Sequence, residues 1–265
     1  MSELDFIRTA LDDLAIFVRA KHAARDGLVV SSKTEANDLL TEVDVAVQAE
    51  LVGRIRDAYP NDAIFAEESG MNERPRDLNG RVWLIDPIDG TQNFVRGLFP
   101  AFGISIAVAA NGRPFAGGVA VPGNGQLFLA EAGAGAFRNG ERLRVSNVDS
   151  ISSARAEVDF SCPSDRTNTL SQFSPLIEKT GQIRCHCAAV IGLCSLATAD
   201  MDAYVHVKLN AYDYAAAMVI VEEAGGRLTR LDGSPIHLFD GRPGVLGSNG
   251  ILHNAFVDVI AEGHQ

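Results

Sequence analysis

The sequence predicts an α+β protein built in layers and divided into two halves. Three observations carry that expectation. Apolar residues recur at helical spacing from Thr41 to Ala58, where Val43, Val47, Leu51 and Ile55 share one face. Short apolar runs separated by glycine turns then follow one another, which favours antiparallel over parallel pairing. After about residue 147 the pattern changes to alternating helix and strand. The 265 residues suffice for one large domain or two closely packed halves, 1–146 and 147–265.

In chain order, MSELDFIRTALDDLAIFVRAKH has its apolar residues spaced as on a surface helix. The helix over 41–58 is followed by strands at Ala63–Phe65, Val82–Ile85, Ile104–Ala109, Phe115–Val121 and Leu127–Ala130. In the second half, helices are predicted over 165–180, 188–199, 213–224 and 250–262. Short strands are predicted near 156–160, 183–186, 203–207 and 244–247. No internal repeat, low-complexity tract or Pro/Ser-rich linker interrupts the chain.

Composition narrows the function. A formal net charge of −11 supplies no basic footprint for nucleic acid, so none is expected as a partner. An acidic protein can still take an anionic substrate if metal ions invert the local field. No apolar run approaches the roughly 20 residues that span a bilayer. The first residues carry acids where a secretory signal carries bases, so a cytoplasmic protein without a membrane partner is expected. Cys162, Cys185, Cys187 and Cys194 all fall in the second half. Cys185-His186-Cys187 lacks the paired spacing of a zinc site, and reduced, partly buried thiols are the preferred reading.

The stretch WLIDPIDGTQNF, residues 83–94, is the most informative. An apolar strand delivers Asp86 and Asp89 from the core, with a turn signal at Pro87 and another at Gly90. Two such carboxylates repel each other or take up protons unless a cation lies between them. Three further acidic spots have a related setting. Glu67 and Glu68 end the run Ala63–Ala66, Asp44 lies one turn inside the helix that begins near Thr41, and Asp213 opens the helix AYDYAAAMVIVEEAGG. Taken singly, Asp44 and Asp213 also read as helix-start acids, and Glu67-Glu68 as a solvated turn. Taken together, carboxylates with a backbone carbonyl and no thiolate or imidazole suit magnesium. Pro87 would turn the chain so that Asp86, Asp89 and the Ile88 carbonyl converge, and a short helix over Thr91–Val95 would offer its amides to a phosphate.

These residues resemble the inositol monophosphatase family. WLIDPIDGTQNF is similar to its first signature and AYDYAAAMVIVEEAGG to its second. Lys33-x₄-Asp38-x₂-Thr41-x₂-Asp44 and Ala66-Glu67-Glu68-Ser69 fit in the same order. The resemblance runs from Lys33 to the last helix. It implies a layered α/β/α/β/α sandwich and magnesium-dependent, lithium-sensitive hydrolysis of a small phosphate monoester by direct attack of water. By the resemblance, Glu67, Asp86, the Ile88 carbonyl, Asp89 and Asp213 are metal ligands, and Glu67 and Thr91 activate the water. Asp44 and Thr41 set the hydrogen bonding of Thr91. Asp89, Gly90, Thr91, Ala189, His206 and Asp213 contact the substrate. A homodimer is the family's habit.

The departures fall on the leaving-group side. His206 stands where family members that prefer inositol phosphate carry Glu, Tyr212 where the family has Trp, and Cys187-Ala188-Ala189-Val190 where it has Gly-Ser/Thr-Ala-Ala. His206 reads equally as a solvent-facing strand residue. An inositol-1-phosphate-like compound is the default substrate. Histidinol phosphate is the alternative, and a non-catalytic partner of the transcription machinery the reading from another class.

Overall fold

The computed structural model describes residues 1–32, 39–68, 80–97, 101–160 and 166–263. Lys33, Asp38, Ser69 and Cys162, singled out above, lie outside the described residues. The first half runs α1 (Glu3–Ala23), β1 (Val30–Ser32), β2 (Leu39–Thr41), α2 (Glu42–Ala58), β3 (Ala63–Ala66), β4 (Arg81–Asp89) and α3 (Thr91–Arg96). It continues through β5 (Gly103–Ala110), β6 (Arg113–Val121), β7 (Gln126–Glu131), β8 (Gly135–Arg138) and β9 (Glu141–Arg142). The second half has β10 (Arg155–Val158), α4 (Arg166–Lys179), β11 (Gln182–Arg184), α5 (Ala189–Ala197) and β12 (Ala203–His206). It ends with α6 (Ala211–Glu223), β13 (Arg227–Arg230), β14 (Val245–Ser248) and α7 (His253–Glu262).

Strands β3 to β9 form one sheet in sequence order, antiparallel throughout except for the parallel β3/β4 pair. A second, mixed sheet has the order β11-β10-β12-β14-β13. Period-two alternation along β4 sends Val82 and Leu84 to one face and Trp83 and Ile85 to the other. The Trp83 face packs on α1 and α2, and the Leu84 face packs on α5 and α6. The same rule splits β12, whose Tyr204 joins the α5–α6 core while Ala203 and Val205 pack with α4 and α7. The layers are therefore helices, sheet, helices, sheet, helices. The middle helices belong to a core that draws residues from both halves of the chain.

α6 is apolar nearly all round because it is the filling of this sandwich, with Tyr214 to Val221 all buried. Its approach to the first sheet needs small residues. A Cβ on Gly117 would lie 2.7 Å from the Ala216 Cα, and one on Gly118, on the opposite face, 2.7 Å from Ile7 and Leu11 side-chain atoms. The glycine pair lets a helix press on each face of β6.

Several elements differ from the sequence expectation. β1 and β2 pair as a small antiparallel hairpin, and Val30–Ser32 are all exposed, so no buried face marks them in the pattern. β8, β9 and β13 are two to four residues long, too short for alternation to register. β4 does not stop at a turn at Pro87. It continues to Asp89 through a register shift, Asp86 facing Ser105 and Asp89 facing Gly103. One extra residue is accommodated as a bulge, where a proline without an N–H costs the ladder nothing. No helix among the described residues is long and apolar enough to cross a membrane.

Gly117→Ala is expected to destabilise the protein by about 1–3 kcal/mol, because α6 backbone must shift to admit the methyl. Urea unfolding measures it, and an unchanged midpoint would show that α6 does not sit this close to β6.

Candidate active site

The ends of β3 and β4 lie side by side, and they place the first acids. Glu67 follows β3 directly, and its N–H donates to the Ile85 carbonyl at 3.1 Å, which carries the strand pairing one residue further. Gln48 from α2 clamps the next residue, accepting from the Glu68 N–H at 2.8 Å and donating to the Glu68 carbonyl at 3.3 Å. Sequence reasoning missed Gln48, whose role depends on a contact 20 residues away. Asp86, before the bulge, is buried and hydrogen-bonds to Glu67.

The start of α2 supports the end of β4. Thr41 and Asp44 form a capping box, in which the Thr41 N–H donates to Asp44 Oδ2 at 2.9 Å and the two side chains also hydrogen-bond. The other Asp44 oxygen lies 3.2 Å from the Thr91 hydroxyl, which is also 2.9 Å from the Ile88 carbonyl. Asp44 is therefore both a helix-start acid and a partner of Thr91. Gly90 between Ile88 and Thr91 holds a left-handed φ of 83°, and a Cβ there would be 2.9 Å from the Ala101 carbonyl oxygen.

Two more helices begin at the same place. Asp89 Oδ2 accepts the Val190 N–H at 2.6 Å, and the Ala189 backbone also bonds to this carboxylate. Asp213 Oδ2 accepts the Asn210 N–H at 2.7 Å in the capping box that starts α6. Each carboxylate thus uses one oxygen at a helix N-terminus, where the helix dipole favours negative charge. Both line the cleft.

Burial is the largest influence on this cluster. It pushes the Asp86 and Asp213 carboxyls well above the usual range, reinforced in each case by the charge of Glu67. Asp89 is pushed up to about 7 by burial, against the Val190 and Ala189 amides that pull it down. Asp86 Oδ1 is buried without a hydrogen-bond partner. A buried carboxylate oxygen left unpaired among like charges fits a cation, and the all-oxygen donor set fits a hard one.

The cleft, of about 200 Å³, is lined by Glu67, Asp86, Ile88, Asp89, Gly90, Thr91, Ala189, His206 and Asp213, all anticipated from sequence. Cys187, named above within Cys187-Ala188-Ala189-Val190, lines it too, and the structure adds Asp159, Lys208, Leu209, Asn210 and Arg242. Asn210 could have been found as the N-cap three residues before Asp213, whereas Lys208 and Arg242 sit in loops without pattern. His206 does not face solvent. It is buried and lines the cleft, and its Nδ1 accepts the Lys208 N–H at 3.0 Å. A neutral ring so arranged carries its proton on Nε2, making that atom a donor. Beside the cleft, the Cys185 thiol is lowered to about 7, chiefly by its hydrogen bond with Cys187.

Fold and site together define a phosphoric monoester hydrolase. The model of the inositol monophosphatase family matches residues 1–264, and the chain belongs to that family. It is 37% identical over 238 residues to the fructose-1,6-bisphosphatase/inositol-1-monophosphatase of Thermotoga maritima, covering 88% of this chain and 86% of that protein. It is 36% identical over 227 residues to the Nus factor SuhB of Haemophilus influenzae, covering 84% of each. Among solved structures, the Thermotoga maritima IMPase superposes with a TM-score of 0.87 at 33% identity, over 100% of this chain and 98% of that one. A staphylococcal IMPase-II bound to inositol monophosphate gives a TM-score of 0.84 at 26% identity, over 100% and 95%.

Asp89 binds its proton more tightly folded than unfolded. Its ionisation therefore opposes folding of the metal-free protein increasingly as pH rises from about 4 toward about 7. Asp89→Asn, whose amide oxygen can still accept the Val190 N–H, is expected to stabilise chelator-treated protein at pH 8 by roughly 1–4 kcal/mol and to change little at pH 4. Thermal unfolding at the two pH values measures this. A variant less stable than wild type at pH 8 would contradict it.

Proposed function

We propose that the chain hydrolyses a small phosphate monoester with magnesium ions held by Glu67, Asp86, the Ile88 carbonyl, Asp89 and Asp213. The observation that carries this reading is the unpaired, buried Asp86 oxygen within a cluster of acids that burial and mutual repulsion drive toward protonation. Bound there, magnesium would lower the pKa of an attacking water and stabilise the leaving oxygen.

The chain's own residues do the positioning. With its proton directed to Asp44 or the Ile88 carbonyl, the Thr91 hydroxyl presents lone pairs that can accept from the attacking water. Glu67 supplies the carboxylate that orients the same water and takes its proton. Thr41 holds Asp44, and so indirectly Thr91, in place. The first amides of α3, at Gly90 and Thr91, have no partner within the helix and can cradle the phosphate. No side chain of the motifs stands as a covalent nucleophile, which supports direct attack by water. Lithium sensitivity and a homodimer belong to the same reading.

For the leaving group, an inositol-1-phosphate-like compound is the default. A sugar bisphosphate is the second reading, because Lys208 and Arg242 bring cationic side chains to the cleft. The name of the Thermotoga relative supports it. The same cations disfavour the ammonium of histidinol phosphate. Net charge −11 supports the absence of a nucleic-acid partner, while relatives named Nus factor SuhB support a role beside the transcription machinery in addition to catalysis.

Phosphate release from inositol 1-phosphate, fructose 1,6-bisphosphate and histidinol phosphate, with magnesium and with excess EDTA, tests the reading. Activity should require magnesium and vanish in chelator. Full activity in EDTA, with metal content verified, would refute it.

His206→Glu should change the ranking of those three substrates by about 1–3 kcal/mol in kcat/KM, since it replaces a donor with a charged acceptor. The magnesium requirement should stay. Ratios unchanged within error would remove His206 from substrate recognition.

A further inference from the structure

A second set of ligating atoms converges at the rim of the cleft, separate from the carboxylate cluster. The Cys185 and Cys187 sulfurs lie 3.4 Å apart. With a carboxylate oxygen of Asp159, one ligand atom from each of the three residues falls within 4.8 Å of the others. Two thiolates about 2.3 Å from a tetrahedral zinc ion stand about 3.8 Å apart, so the pair is already near ligating distance. Asp159 is buried just beyond β10, and its N–H is fixed on the Val205 carbonyl at 3.2 Å. Cys185 is exposed, which gives an ion a way in.

The loop that carries the thiols is braced. His186, between them, is turned onto Glu157, donating its N–H at 3.1 Å to one oxygen and placing Nδ1 2.7 Å from the other. The His186 carbonyl accepts the Asn93 side-chain amide at 2.7 Å. With His186 held there, Cys185 and Cys187 come together. Cys187 does so at a φ of 55°, a left-handed conformation that glycine would adopt without cost. A non-glycine side chain kept at such a position, with its sulfur beside a second thiol and a buried carboxylate, asks for a use of the sulfur.

We propose that Asp159, Cys185 and Cys187 form a second cation site, for a thiophilic divalent ion such as zinc, at the rim of the cleft. Two sulfurs and one oxygen match zinc and reject magnesium, which takes oxygen ligands, so the two sites would sort their ions by ligand softness. On binding, any proton remaining on either thiol leaves to solvent, and the ion offsets the charges of two thiolates and a carboxylate. Three protein ligands leave a fourth position for water or an oxygen of a bound molecule. Because Asp159 and Cys187 also line the cleft, occupancy would alter the charge that a substrate meets there.

Cobalt is the spectroscopic probe for such a site. Reduced, chelator-treated full-length protein, in saturating magnesium to cover the carboxylates, is titrated with Co²⁺. The expected result is a near-ultraviolet thiolate-to-cobalt charge-transfer band that saturates at one equivalent and is abolished by one equivalent of zinc. Cys185→Ser should lose the band. Cys187→Gly should lose it too while relaxing the left-handed backbone, and circular dichroism with a thermal midpoint verifies that both variants are folded. Asp159→Asn should keep a band with cobalt affinity weakened about tenfold or more. Absence of the band in wild type, or its persistence in the folded Cys185→Ser and Cys187→Gly variants, overturns the proposal. The readout is optical, so it stands or falls independently of phosphatase activity.

Discussion

Everything at this site depends on keeping Asp86, Asp89 and Asp213 close together inside a protein. Left alone, such a group would protonate or unfold its surroundings. The fold meets the problem by starting helices at the acids. Asp44 closes the capping box of α2 with Thr41, Asp89 receives the first amides of α5, and Asp213 closes the capping box of α6 with Asn210. Three helix N-termini thus direct partial positive charge toward the cluster. They fix one oxygen each of Asp44, Asp89 and Asp213, while Asp86 keeps a buried oxygen without a hydrogen-bond partner. Asp44 and Asp213 are both helix-start acids, and from those positions Asp44 reaches the Thr91 hydroxyl and Asp213 lines the cleft.

The layer order explains how these helices can meet. α5 and α6 form the middle layer and pack against both sheets, so their N-termini sit beside the end of β4 in the first sheet and the ends of β10 and β12 in the second. The cleft is consequently a seam. One wall comes from β3, β4 and α3, with Glu67, Asp86, Asp89 and Thr91. The other comes from the second half, with Asp159, His206, Lys208 and Asp213. Any change in how tightly α6 lies on β6, at Gly117, acts on the relative placement of the two walls.

The sequence revealed most where one segment carries both a pattern and a charge. The apolar run before Asp86, bounded by turn signals, reads as a buried strand, and Val43, Val47, Leu51 and Ile55 mark α2 by period. The bulge at Pro87 was not legible, because a proline after an acid signals a turn as readily as an irregular strand, and only the pairing with Ser105 and Gly103 distinguishes them. Gln48 looks like a surface residue of α2, yet it is buried against the Glu68 backbone. Lys208 and Arg242 carry no local signal, since their convergence arises from the path of loops between strands. His206 could be placed on a strand but not on a side of it. In the structure it pairs with Val245, is buried, and accepts the Lys208 N–H on Nδ1.

The two walls also differ in how they are held. The wall that carries Glu67, Asp86, Asp89 and Thr91 is fixed by backbone hydrogen bonds and helix starts, so its geometry follows from the fold itself. The opposite wall joins the start of α6, with Asn210 and Asp213, to side chains at strand ends and in loops: His206, Lys208, Arg242 and the braced Cys185–Cys187 segment. This wall too is tied to the fold in places, since Asn210 is the N-cap of α6 and the buried His206 accepts the Lys208 N–H on Nδ1.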